Sequence, residues 1–251
     1  MNEKVSIHYS SEGGLAQRIA QGLQSAGRSI DKLTTADLSA IDEFHFRGRK
    51  ATLELAGKMA LNANSRVIDI GSGLGGAART LAKEYGCHVT GIDLTAEFCE
   101  AATTMSSWVG LVEKTEFFQG DATDLSFSDK QFNSAMTIHT AMNIADKSKL
   151  FEQAYRVLRP GGVFAVYDIL QGEGGEAIYP APWAKDSSIS YLVSTGEMEH
   201  LLDDAGFTIR NVHDSTDESL EWLESRSANA DQSKPVPITI QILFGDKFIE
   251  M

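Results

Sequence analysis

Asp69-Ile70-Gly71-Ser72-Gly73-Leu74-Gly75-Gly76 follows a short β-branched apolar run, Val67-Ile68-Asp69-Ile70, and opens a segment of helical character from about Gly75 to Tyr85. A strand, a glycine bend and a helix in that order let the backbone turn tightly and bring a ligand close to the main chain at a helix N-terminus. Gly71, Gly73 and Gly76 also satisfy the dinucleotide fingerprint, with Asp93 at about the distance expected of a ribose-binding acid. Alone, the bend points to an adenosine-containing cofactor and leaves its kind open. The plain alternative is a glycine-rich turn that holds nothing.

Downstream, strands and helices alternate. His88 to Asp93 reads as a second strand, with Thr95 as N-cap of the next helix; Glu116-Phe117-Phe118 is a third strand and Ala135 to Ile138 a fourth. Asp146 is placed to cap a helix carrying Leu150, Phe151, Ala154, Val157 and Leu158 on one face. Pro160-Gly161-Gly162 is expected to end it and turn the chain into a strand from Val163 to Ile169. A Gly/Pro-containing stretch, Gln171 to Ser190, precedes a helix from Glu197 to Ala205, whose capping box is Ser194 with Glu197. Phe207 to Val212 and Ile238 to Phe244 read as final strands, separated by a short helix (Glu218 to Leu223) and a flexible segment (Ser225 to Lys234). Upstream, Leu15, Ile19, Ala20 and Leu23 recur at helical spacing, a polar stretch runs from Ser29 to Asp37, and another helix is expected from Ala51 to Ala60.

This alternation predicts right-handed crossovers and a mostly parallel, doubly wound sheet covered on both faces. The final strand lacks a crossover helix before it and is expected to run antiparallel. Ligands in such sheets bind beyond the carboxyl ends of the strands, where the winding reverses.

The 251 residues carry 22 Lys+Arg against 35 Asp+Glu, a formal net charge of −13. That balance argues against neutralising phosphates of a nucleic acid and against docking on anionic lipid. Met1 to Ser10 has no apolar block, and the run Gly161 to Leu170 is broken by Asp168 and too short to span a bilayer. Cys87 and Cys99 could form one bridge at most and read as buried thiols, so a cytoplasmic location is expected. No His, Cys and carboxylate cluster has metal-ligand spacing, and no metal is expected.

Three features favour S-adenosylmethionine over a nicotinamide cofactor. Asp69 lies two residues before the first glycine, where a carboxylate repels a pyrophosphate and suits an ammonium and a nearby sulfonium. Gly120-Asp121-Ala122 follows the third strand with a carboxylate able to accept from an adenine amino group. Arg159-Pro160-Gly161-Gly162 sits before the fifth strand. Asp69 to Gly75, Asp93, Asp121 and Leu158 to Gly162 together resemble the successive motifs of class I S-adenosylmethionine-dependent methyltransferases, over roughly Arg66 to Phe207. Within them the chain is most similar to small-molecule methyltransferases of the sarcosine/dimethylglycine, phosphoethanolamine and quinone-biosynthesis type.

The resemblance implies an α/β Rossmann-like sheet of seven strands with an antiparallel last strand, plus an N-terminal helical lid over residues 1–50 on a methyltransferase domain of 51–251. It also implies that the loop of Gly71, Ser72, Gly73 and Gly75 holds the methionine portion beside Asp69, with Thr137 nearby. Asp93 takes the ribose hydroxyls, Leu94 packs on the adenine, and Asp121 with the Ala122 amide reads its edge. S-adenosylhomocysteine is the implied product.

A base is needed if the acceptor is a phenol, an alcohol or an ammonium. His139, ending the fourth strand, is the leading candidate; the bland reading is a histidine satisfied by the backbone that shapes the pocket. His45, in Asp42 to Arg49, belongs to a lid or to a connector. Asn143 orients an acceptor or holds a loop. Tyr179, Trp183 and Tyr191 are candidate acceptor contacts, by stacking or by cation–π attraction, or else a hydrophobic cover with no direct contact, and Phe44 is a further candidate acceptor contact. His8, His88, His200 and His213 read as surface or edge residues, and Trp108 and Trp222 as helix-packing residues. The expected partner is a small-molecule acceptor, with neither nucleic acid nor membrane, bound by a monomer or homodimer. The rivals are a nicotinamide-dependent oxidoreductase using the same bend and a non-catalytic cofactor-binding protein.

Overall fold

In a computed structural model of the chain, which describes residues 14–228, five parallel strands form one sheet in the order β3-β2-β1-β4-β5. They are β1 (Arg66–Ile70), β2 (His88–Asp93), β3 (Thr115–Gln119), β4 (Phe132–Ile138) and β5 (Leu158–Tyr167). The helices are α1 (Leu15–Ser25), α2 (Thr35–Asp42), α3 (Gly48–Ala56), α4 (Gly76–Tyr85), α5 (Ala96–Trp108), α6 (Lys147–Val157), α7 (Thr195–Asp204) and α8 (Thr216–Ala228).

The central strands are buried on both faces, which is why β1, β2 and β4 read as almost unbroken apolar runs. Val67 and Met136 pack with Ala78 and Leu81 of α4 on one face. Ile68, Ile70 and Ala135 pack with Leu150, Phe151 and Ala154 of α6 on the other. A third cluster joins Leu15, Ile19 and Leu23 of α1 and Leu38 and Ile41 of α2 to Phe98 and Met105 of α5. The N-terminal helices are thereby fastened to the flank of the sheet nearest the glycine bend. Winding reverses between β1 and β4, so the carboxyl ends of these two strands frame the crevice.

Several expectations are corrected. Phe207 to Val212 forms no strand with the described residues: it has no ladder partner among them, and Ile209 and Val212 are exposed. The antiparallel candidate Ile238 to Phe244, most of the segment Ser225 to Lys234, and His8 lie outside the described residues. The sheet described is thus five-stranded and all parallel. Arg159 to Gly162 is no turn before β5 but a bulge inside it. Phe132 pairs with Leu158 and Ser134 with Val163, so the extra residues loop out, with Gly161 at φ +77°. β5 ends at Tyr167 rather than Ile169. The helix expected over Ala51 to Ala60 starts earlier, after left-handed Arg47, and stops at Ala56. Thr95 occupies the cap position of α5 without a side-chain cap bond; its amide and its side chain both hydrogen-bond Asp93. The other caps form as expected: Asp146 accepts from the Lys149 amide, and Ser194 and Glu197 make a capping box. His88, His200 and His213 are exposed, and Cys87 and Cys99 are free and buried. Among the described residues no helix is long and apolar enough to cross a membrane.

Candidate active site

The glycine bend is tied down by its own amides. Gly71 N and Ser72 N both donate to Ile92 O, at 2.8 and 3.0 Å, Gly75 N donates to Ser72 O at 2.8 Å, and Gly73 N donates to Asp93 Oδ2 at 2.8 Å. These four donors are therefore spent on the protein rather than held out for a phosphate. The N-terminus of α4 is covered too. A Cβ on Gly76 would stand 2.3 Å from the Asp42 carbonyl oxygen and 2.7 Å from its carboxylate, so the end of α2 sits where an anion would dock.

At Gly71 the backbone is left-handed (φ +80°), and an added Cβ would lie 2.1 Å from Thr140 Oγ1. Gly71→Ala is expected to cost about 2–4 kcal/mol in urea unfolding, from strain and overpacking together. Gly73 has the same hand of backbone (φ +51°) but faces open space.

Two carboxylates flank the bend. Asp69, at the end of β1, is 2% exposed, and its Oδ2 has no hydrogen-bond partner; the buried Ser72 hydroxyl lacks one as well. Burial foremost, then the neighbouring Asp93 and Glu43 carboxylates, push the Asp69 carboxyl up to about 8. Asp93 ends β2, accepts from Gly73 N and from Thr95 N at 2.9 Å, and is raised by burial. An unpartnered carboxylate oxygen inside a cavity calls for a ligand that brings N–H donors or positive charge.

The cavity, about 250 Å³, runs from these acids to the carboxyl end of β4. It brings together Asp69, Gly71, Ser72, Gly73, Asp93, Leu94, Asp121 and Ala122 at one end, and Phe44, His45, His139, Asn143 and Trp183 at the other. Asp121 Oδ1 accepts from the Thr123 amide and hydroxyl, which fixes the turn after β3. Four expected residues are placed elsewhere. Gly75 packs on the Phe117 ring, the Thr137 hydroxyl donates to Ile70 O, and Tyr179 is outside the lining. Tyr191 braces the wall from behind: its amide donates to Met142 O and its hydroxyl to Ser188 O.

His139 has a left-handed backbone (φ +49°), and its amide donates to Tyr167 O at 2.8 Å. Its ring lies 5.2 Å from Tyr167, 5.4 Å from Phe46 and 5.8 Å from His45, while Trp222 of α8 closes on Phe46 at 6.5 Å. Burial, and then His45, hold His139 well below the ordinary imidazole range; burial lowers His45 to about 4. Both rings are neutral near pH 7. His45 Nε2 faces Gly48 O at 3.0 Å and Thr52 Oγ1 at 3.2 Å, and Thr52 donates to Glu43. Asn143 Nδ2 donates to Trp183 O at 2.9 Å and Ile189 O at 2.7 Å, holding the segment after β5 against the cavity.

Phe46, Thr140 and Met142 also line the cavity and were not singled out from sequence, though each adjoins a residue that was. In the sequence Asp42 stands out only as the first residue of the segment Asp42 to Arg49. It reaches the site only because the fully buried Arg79 of α4 grips it at 2.7 Å while donating also to Ala102 O and Ser106 Oγ of α5.

A family described as Methyltransferase domain matches residues 68–166. A sterol 24-C-methyltransferase of Gibberella zeae is 35% identical over 116 residues, 46% of this chain and 30% of its own length. Phosphoethanolamine N-methyltransferase 1 of Zea mays is 29% identical over 187 residues, 74% of this chain and 37% of its own. The chain thus spans about a third of the length of these curated relatives. Among solved structures, a geranyl diphosphate methyltransferase in complex with GPP and sinefungin superposes with a TM-score of 0.72 at 16% identity, over 99% of this chain and 94% of that one, a likeness of fold. Residues 68–166 are thus similar to the family described as Methyltransferase domain.

Proposed function

We propose that the protein is a cytoplasmic enzyme that transfers a methyl group from S-adenosylmethionine to a small-molecule acceptor, releasing S-adenosylhomocysteine. The acceptors in the names of its relatives, a sterol and phosphoethanolamine, are of that small-molecule kind. The observation that carries the reading is the buried, unpartnered Asp69 Oδ2 beside a glycine bend four of whose amides are bonded within the protein. That pairing suits an ammonium and a sulfonium and disfavours a diphosphate.

Bound there, S-adenosylmethionine supplies a methyl group on a positively charged sulfur, already activated for in-line displacement. The residues of the chain bind, orient and keep water out. Asp69 pairs with the ammonium, Asp93 receives the ribose hydroxyls, and Leu94, Asp121 and Ala122 hold the adenine. Residues 1–50 serve as the lid: Phe44, His45 and Phe46 line the cavity, and Asp42 is pinned to the core by Arg79. His139 and His45 present neutral imidazoles beside the acceptor, able to accept a hydrogen bond or a proton from it. Asn143 fixes the Trp183 segment, which completes the acceptor wall.

Donor binding is expected to release protons. A cation against Asp69 pulls its carboxyl down from about 8, so near pH 7 a bound proton leaves, and affinity weakens as pH falls below that value. Calorimetry at pH 7 in buffers of different ionisation enthalpy should show release that Asp69→Asn removes. Uptake of protons, or no buffer dependence, would remove Asp69 from the ammonium site.

A further inference from the structure

We propose that the methyl acceptor is an uncharged molecule with an apolar body, and that the site rejects phosphate esters and diphosphates. The inference rests on the methyl-transfer reading and names the acceptor class for the same cavity. Beyond the acids that flank the bend, the wall is made by Phe44, Phe46, Ile138, Met142, Ile169 and Trp183. Such a surface gains free energy by covering hydrocarbon or an aromatic ring.

The polar groups at this end have little to give an anion. His45 and His139 are kept neutral by burial, so neither offers an imidazolium. The Asn143 amide donates to two carbonyls of the wall, and the Thr140 hydroxyl to Ile138 O at 3.1 Å. Three cations of the described residues are spent within the protein. Lys147 donates to Ile144 O and Tyr191 O, Arg47 pairs with Glu54, and Arg79 pairs with Asp42.

A phosphate entering here would surrender its hydration to aromatic faces, with Asp69, Asp93 and Asp121 along the same cavity. The net charge of −13 opposes its approach from a distance as well. The two neutral imidazoles can instead take a hydrogen bond from a phenol or an alcohol, which suits an acceptor whose one polar group is its nucleophile.

The test uses matched pairs of probes. Full-length protein saturated with S-adenosylhomocysteine is titrated with 1-naphthol and 1-naphthyl phosphate, and with farnesol and farnesyl phosphate. Binding is read by quenching of tryptophan fluorescence, with Trp183→Phe to show that the quenched residue is the one in the wall. The proposal expects at least one uncharged member to bind and its phosphate to bind about tenfold or more weakly, the quench being largely lost in Trp183→Phe. Equal affinity within each pair, preference for a phosphate, or binding of no member overturns it. So does tighter binding of 1-naphthylmethylamine, a cation near pH 7, than of 1-naphthol. Calorimetry with S-adenosylhomocysteine alone keeps the two readings apart: its failure to bind defeats the methyl-transfer reading, whereas its binding beside a preferred phosphate ester defeats only the acceptor class.

Discussion

Asp93→Ala is expected to weaken S-adenosylmethionine binding by about 100-fold, roughly 3 kcal/mol. The substitution removes two things at once. The ribose hydroxyls lose their shared charged acceptor, and the bend loses the tie from Gly73 N and the brace at Thr95 N. Hydrogen bonds to a charged group contribute about 1.5–3 kcal/mol each, so the ligand contacts alone account for most of the expected loss. Asp93→Asn separates the effects, because its remaining carbonyl oxygen can still hold Gly73 while the charge is gone. An intermediate affinity for Asp93→Asn is the expected order, and calorimetry reads all three proteins directly. Unchanged affinity in Asp93→Ala would take the ribose away from β2.

Arg79→Met is expected to have the largest effect on stability. Arg79 is fully buried, paired with Asp42 at 2.7 Å and bonded to carbonyls of the bend and of α5. Removing one partner of a buried ion pair leaves the other desolvated, which costs about 3–5 kcal/mol. Asp42 is already raised by burial despite Arg79, so without the guanidinium it would take up a proton rather than remain charged. A midpoint about 10 °C lower is the scale such a loss implies for a chain of this size. In the double variant Arg79→Met/Asp42→Leu both charges are gone, and much of the stability should return. Denaturant titration of the single and double variants checks this; a loss below about 1 kcal/mol in Arg79→Met would mean that the pair does not fasten α2 to α4.

The parts of this architecture that sequence made legible are those in which local pattern and global packing agree. Val67 to Ile70 and His88 to Asp93 are short and nearly continuous in apolar character because parallel strands between two helical layers are buried on both faces. Asp69 and Asp93 could be picked out because each ends such a strand at the crevice. What escaped depends on contacts made far along the chain. Leu158 continues the sheet directly from α6 because it pairs with Phe132, and the following Arg-Pro-Gly-Gly is absorbed as a bulge. Phe207 to Val212 has strand composition, but a strand needs a neighbour to pair with, and none is among the described residues.

The site divides along the same line. The glycines announced a ligand and Asp69 already favoured a sulfonium over a diphosphate; what the sequence did not show is where four of the bend's amides point, and Asp42, which Arg79 brings in from α2. Thr137 and Tyr191 carry suitable chemistry at suitable positions, but their groups are bonded to Ile70 O and to Met142 and Ser188 carbonyls. Spacing alone does not reveal which hydrogen bonds a side chain has already made.

The most direct test of the account is a calorimetric titration of the purified protein with S-adenosylhomocysteine and, in parallel, with NADH under the same conditions. The account predicts saturable heat with the first and none with the second, since four amides of the bend are bonded within the protein and the acids beside it repel a diphosphate. Saturable binding of NADH with no response to S-adenosylhomocysteine would contradict it.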